Sequence, residues 1–301
     1  MKFDVGDRAD SSLVDDRRGA GFSRGVLGAG VGGLGVVGTL IYLAIRLLGG
    51  DVTVDEPGGT SPSPTPAAHA PGAAASPIVS KSCQGVTSGN DQGEFAACVE
   101  GNVQAFWSRT LASSGKSYRA AKLVLFTDRT QSGCGVASAA TGPFYCPEDH
   151  EVYLDTGFFE QLRGRFHAHG GDFAEAYVIA HEYGHHVQSL LGTERAFETA
   201  ISRSPAKRNA LSVMLELQAD CYAGVWGHSA YETGRTSKDE IAQALDAAAA
   251  VGDDRIQQEV RGRVNPEKFT HGSAAERQRW FNVGMNGGDA NACNTFEGAL
   301  D

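Results

Sequence analysis

Two short segments constrain this chain more than any other part of it: His181-Glu182-Tyr183-Gly184-His185 and, beyond it, Glu216-Leu217-Gln218-Ala219-Asp220. Residues four apart on a helix lie one above the other, so His181 and His185 can grip a single ion between them. Glu182 lies about 100° around the same helix, within reach of a water on that ion without serving as a ligand. Glu216 offers a third ligand from a second helix. One coordination position then stays open, as in a catalytic rather than a structural zinc site.

The flanking residues predict both helices. Asp172 is placed to cap the first and Gly192 to end it, while Phe173, Tyr177, Ala180, Val187 and Leu191 mark its buried stripe. Gly184 in a helix interior costs about 1 kcal/mol relative to alanine, which makes sense where another backbone passes close to the metal face. The second helix opens at Ser204-Pro205, a cap followed by proline at the first helical position. On it, Glu216 and Asp220 share a face, and Asp220 is placed to accept the second imidazole N–H of a ligand histidine, fixing its tautomer. His186 points about 100° away from His185 and suits a supporting or surface histidine. Cys221 lies off the Glu216 face and suits a disulfide.

The chain carries 36 acidic against 26 basic side chains, a formal net charge of −10, which argues against a nucleic-acid partner. From Gly25 to Ile45 run 21 residues without a charge, bounded by Arg24 and Arg46, long enough to cross a bilayer. A cleavable signal peptide would have a shorter apolar region and a small-residue cleavage site. Here Leu47-Leu48 carry the apolar character to the far flank, so the expectation is an uncleaved anchor over residues 25–48. Lys2, Arg8, Arg17, Arg18 and Arg24 precede it, and after Arg46 no Lys or Arg occurs until Lys81. The positive-inside rule then puts residues 1–24 in the cytoplasm and the bulk of the chain outside. Six of the ten prolines fall between Pro57 and Pro77, so residues 49–79 read as a disordered spacer. The folded domain is expected over residues 80–301.

Within that domain, Phe95, Cys98, Val99, Val103, Phe106, Trp107 and Leu111 recur at helical spacing behind Asn90. Ala121–Phe126 and Glu151–Asp155 read as strands. Capping boxes at Ser237…Glu240 and Ser273…Glu276 open two later helices. The expected fold is α+β: mostly helical, zincin-like, with a small sheet N-terminal to the metal helix. All six cysteines lie on the side placed outside, and an even count there suggests three disulfides among fifteen possible pairings. Position favours Cys134–Cys146 across a Gly-rich loop and Cys221–Cys293 tying the C-terminus to the metal helix, with Cys83–Cys98 as the remainder.

With the anchor and spacer, Gly133-Cys134-Gly135, Thr141-Gly142-Pro143-Phe144-Tyr145-Cys146-Pro147, the two metal segments and Phe269-Thr270-His271-Gly272 resemble a bacterial family described as putative neutral zinc metallopeptidases. The metal motif also resembles that of gluzincins. The resemblance implies a membrane-anchored zinc peptidase with His181, His185 and Glu216 as ligands and Glu182 as base. The implied chemistry is hydrolysis of peptide bonds in a protein or peptide substrate. A tetrahedral oxyanion needs a donor besides zinc. His271 is the candidate, against the alternative of a histidine capping the following helix, and His228 and Tyr183 are weaker ones. Strand Glu151–Asp155 would pair with an extended substrate if it is a sheet edge. A catalytically silent zinc-binding surface scaffold, or a zinc hydrolase of cell-wall amides, stays open as another reading.

Overall fold

The computed structural model describes residues 1–19, 82–138, 141–160 and 170–300. The expected anchor at 25–48 and spacer at 49–79 lie outside these residues. Among the described residues, no helix is long and apolar enough to cross a membrane.

The chain opens with a short strand, β1 (Val14–Asp16). Asp91, one residue beyond the expected cap, accepts from the amides of Gly93 and Glu94 and starts α1 (Gln92–Ser113). Strands β2 (Lys122–Phe126), β3 (Arg129–Ser132), β4 (Gly135–Ser138), β5 (Phe144–Cys146) and β6 (Glu151–Asp155) follow. The C-terminal half is helical: α2 (Asp172–Leu191), α3 (Thr193–Arg203), α4 (Arg208–Glu232), α5 (Lys238–Ala250), α6 (Asp253–Arg261) and α7 (Ala274–Gly287). Asp172 is the first residue of α2 rather than its cap. Its carboxylate instead accepts from the amide and hydroxyl of Ser88, clamping the loop before α1 to the metal helix. Ser204-Pro205 begins a 3-10 turn that leads into α4. Both expected capping boxes are present, at Ser237 and Ser273.

The main sheet has the order β1-β2-β6-β5, parallel except for β5. Strand β6 is therefore interior, paired on both sides, and cannot receive a substrate strand as the sequence suggested. One edge of the sheet is β5, which lies against α2, and the other is β1. Leu123, Leu125, Val152 and Leu154 face the large core beneath α1 and α2. On the other face, Val124, Phe126, Phe144 and Tyr153 enclose a smaller cluster with Cys134 and Cys146. Strand β2 is thus buried on both sides, as its unbroken apolar run requires.

Glycine sets the closest helix contacts. A Cβ on Gly224 would fall 2.1 Å from the Phe281 carbonyl oxygen, and one on Gly284 2.0 Å from that of Cys221, so α4 and α7 meet backbone to backbone. The three disulfides are Cys83–Cys98, Cys134–Cys146 and Cys221–Cys293, matching the expected pairing.

Behind α2, Glu100 of α1 is fully buried and its carboxyl accepts from Gln104. Burial pushes its pKa up to about 8, against the pull of Gln104. Between about pH 4.5 and 8 the folded chain holds a proton that the unfolded chain has released. This contribution is full below that window and is lost as pH rises through it. Glu100→Gln is expected to flatten the decline, removing a loss on the order of a few kcal/mol. Thermal melts at mildly acid and mildly alkaline pH would test this, and a decline as steep as in the parent protein would exclude Glu100 as its source.

Candidate metal centre

Helices α2 and α4 pack closely at Gly184, where a Cβ would lie 3.0 Å from the Ala219 carbonyl oxygen and 3.1 Å from its Cα. The backbone that the sequence reading placed against this glycine is α4. At this contact the two helices turn His181, His185 and Glu216 toward one another. His185 Nε2 lies 3.2 Å from His181 Nε2, and Glu216 Oε2 lies 3.1 Å from His181 Nε2. His185 Nε2 and Glu216 Oε1 are 3.6 Å apart. Ligand atoms at the corners of a zinc tetrahedron with ~2.05 Å bonds are separated by about 3.3 Å, so the three buried side chains are spaced to hold one ion.

The outer hydrogen bonds fix the orientation of both rings. Asp220 Oδ1 lies 2.9 Å from His181 Nδ1 and accepts a hydrogen bond from it, so that Nε2 is the nitrogen turned toward Glu216 and His185 and available to a metal. His185 Nδ1 faces Gln188 Oε1 at 2.8 Å. The Gln188 amide nitrogen donates to Leu215 O and Gln218 Oε1, so its oxygen must be the acceptor from His185. Two imidazole Nε2 atoms and a carboxylate therefore converge in a buried space, a donor set that suits a zinc ion. Glu182 is buried beside them, and its Oε2 has no hydrogen-bond partner. Burial raises its pKa. A side chain with that vacant acceptor fits the role of holding a water beside an ion.

Asp220 is itself gripped from three sides. Arg277 of α7 donates from Nε to Oδ2 at 2.8 Å and from Nη2 to Oδ1 at 2.9 Å, and the Tyr177 hydroxyl donates to Oδ1 at 2.5 Å. Burial alone would raise the Asp220 pKa, but Arg277 and His181 hold it down to about 2. The carboxylate is thus charged and pointed at His181. Tyr177 stands one helical turn before His181, a spacing legible in the sequence. Arg277 carries no such signal, since it comes from a separate helix.

His271 is buried on the turn before α7 and close enough to Glu216 to feel its charge. Its Nδ1 lies 3.2 Å from Asp253 Oδ1, and Asp253 Oδ2 accepts from the His271 amide at 2.6 Å. Burial would lower the His271 pKa, yet Asp253 raises it. Ser273 and Glu276 supply the cap of α7, so His271 is not the capping residue. Asp253 opens α6, a helix that the sequence pattern did not announce.

The other sequence candidates lie elsewhere. His186 is fully buried rather than on the surface, with its ring nitrogens facing Tyr145 Oη at 3.2 Å and Arg119 O at 2.7 Å. His228 donates to Met285 O, and Tyr183 is buried where its hydroxyl feels Glu100 and Tyr118.

Residues 3–296 match the family described as "Putative neutral zinc metallopeptidase". The chain is 38% identical over 291 residues to the uncharacterized protein YpfJ of Escherichia coli (strain K12), covering 96% of this chain and 97% of that protein. It is 47% identical over 226 residues to the uncharacterized protein Rv2575 of Mycobacterium tuberculosis (strain H37Rv), covering 70% of this chain and 74% of that protein. No solved structure matches the chain. With this match over nearly its whole length, and a buried His181, His185 and Glu216 group spaced for a metal, the chain belongs to the neutral zinc metallopeptidase family.

Proposed function

We propose that this protein hydrolyses peptide bonds in an oxidising compartment outside the cytoplasm, with His181, His185 and Glu216 holding zinc. The observation that carries the reading is Glu182, a buried carboxylate with an unpartnered oxygen next to the ligand cluster. A purely structural site needs no such base. Zinc, when bound, supplies Lewis-acid polarisation of the scissile carbonyl and lowers the pKa of water. Glu182 takes the proton of the attacking water and returns it to the leaving amine. His271, oriented by Asp253, donates to the developing oxyanion from the nitrogen that Asp253 leaves free. Asp220, Arg277 and Tyr177 hold the His181 ring in place. The disulfides support the compartment.

Purified protein carrying one equivalent of zinc should cleave unfolded protein or a peptide library, lose cleavage to a chelator and regain it with added zinc. Stoichiometric zinc without any peptide cleavage would favour the silent-scaffold or cell-wall amide readings instead. His271→Asn is expected to lower kcat by ~10²–10³ with a small change in KM and full zinc retention. Parental kcat in that variant would remove His271 from the mechanism.

A further inference from the structure

The N-terminal residues are built into the peptidase domain. Strand β1 pairs with the open side of β2 in parallel register, Val14 opposite Leu123 and Asp16 opposite Leu125. The Leu123 amide donates to Leu13 O at 2.8 Å and the Arg17 amide to Leu125 O at 2.8 Å. Phe3 is buried in the main core, edge-on to Phe95 of α1 at 5.9 Å. The Arg8 carbonyl sits so close to α1 that a Cβ on Gly101 would fall 2.8 Å from it. Charged side chains fasten the segment further. Arg17 donates to Thr130 Oγ1 and Gln131 O, and Arg18 reaches Asp91, the cap of α1. Arg235 pairs with Asp4 and Asp7 from the helical half. The family match, which begins at residue 3, takes in the same segment.

From these contacts we infer that residues 1–19 are a docked strand of the peptidase domain and lie with it on one side of any membrane, the oxidising side. A single crossing by the apolar run at 25–48 would put ~30 Å of hydrocarbon between its two flanks. Neither the β1–β2 pairing nor the burial of Phe3 can form across that distance. The cationic residues read as a cytoplasmic retention signal have another use, because Arg17 and Arg18 are the clamps of the docked strand. The side is set by chemistry at the junction. The Cys83 amide donates to Asp7 O, placing the segment directly against the Cys83–Cys98 bridge. The inference stands whether or not the metal centre cleaves peptides.

The test uses the full chain expressed in a bacterial host whose outer membrane has been made permeable. Ser11→Cys and Ser114→Cys are both exposed positions, one in the N-terminal segment and one after α1. A membrane-impermeant maleimide is expected to label both variants to the same extent in intact cells. Labelling of Ser114→Cys alone, with Ser11→Cys reacting only after lysis, would overturn the inference. Protection of both until lysis would also overturn it, by placing the domain in the cytoplasm. Docking itself is read by Phe3→Asp in the purified full chain, which is expected to lower Tm by several degrees. An unchanged Tm would show that the segment is not seated.

Discussion

Glu182→Gln is expected to lower the kcat of peptide cleavage by ~10²–10⁴ while the purified protein keeps its full equivalent of zinc. The separation of the two readouts is what makes the result informative. Glu182 is outside the group of ligand atoms formed by His181, His185 and Glu216, so its loss removes no metal bond. Glutamine keeps the volume of the side chain in a buried position, so the packing of α2 on α4 should survive. What glutamine cannot do is accept the proton of an attacking water. His181→Ala, by contrast, should lose zinc and activity together. Parental activity in Glu182→Gln would rule out the proposed mechanism, and loss of zinc in that variant would mean that Glu182 is a ligand.

Asp220→Ala is expected to cost about 3–5 kcal/mol of stability, because it strands a buried guanidinium without its counter-ion. Arg277 is buried and makes two charge-assisted bonds to this carboxylate. For a domain of this size the loss corresponds to a fall in Tm on the order of 10 °C. Zinc affinity should drop by ~10–100-fold at the same time, since His181 loses the acceptor that fixes its ring. A double variant separates the two effects. Asp220→Ala with Arg277→Met removes both charges and should recover much of the stability, yet leave zinc binding weak. If the double variant regained parental zinc affinity, Asp220 would not be orienting His181. The depressed Asp220 pKa, about 2, means that its ion pair contributes fully above the ordinary carboxylate range and fades only as pH falls toward 2.

The candidate metal ligands were legible in the sequence because of their fixed offsets along helices. His181 and His185 are four apart on one helix, and Glu216 and Asp220 are four apart on another, so local geometry placed each pair on one face, and helix packing at Gly184 brings the two faces together. The capping boxes at Ser237 and Ser273 and the three disulfides were readable for a similar reason: each rests on a short-range signal or on an even count. What escaped was set by tertiary packing. Arg277 and Asp253 reach the centre from helices whose placement no periodicity encodes. Strand β6 carried a good alternating pattern, but its neighbours in the sheet depend on where β1 and β5 return. Helix α6 was hidden because it is short and mostly polar, with few of its residues buried. The N-terminal arginines carry two readings, a topology signal before an apolar run and, through the pairing of β1 with β2, side chains that fasten a strand; only the first is visible in the sequence.

Helices α4 and α7 are held in register where their glycines cross. They run parallel, and three of their contacts share one offset: Asp220 to Arg277 and His228 to Met285 are each 57 residues apart, and so are Gly224 and Phe281 (281 − 224 = 57). Ion pair, backbone contact and histidine bond thus form successive rungs of one ladder, a helical turn or so apart. Sliding α7 by a single turn, about 5.4 Å, would break all three at once. The guanidinium that grips Asp220 is therefore indexed like a tooth on a ratchet, in a position that depends on glycines letting the two backbones meet.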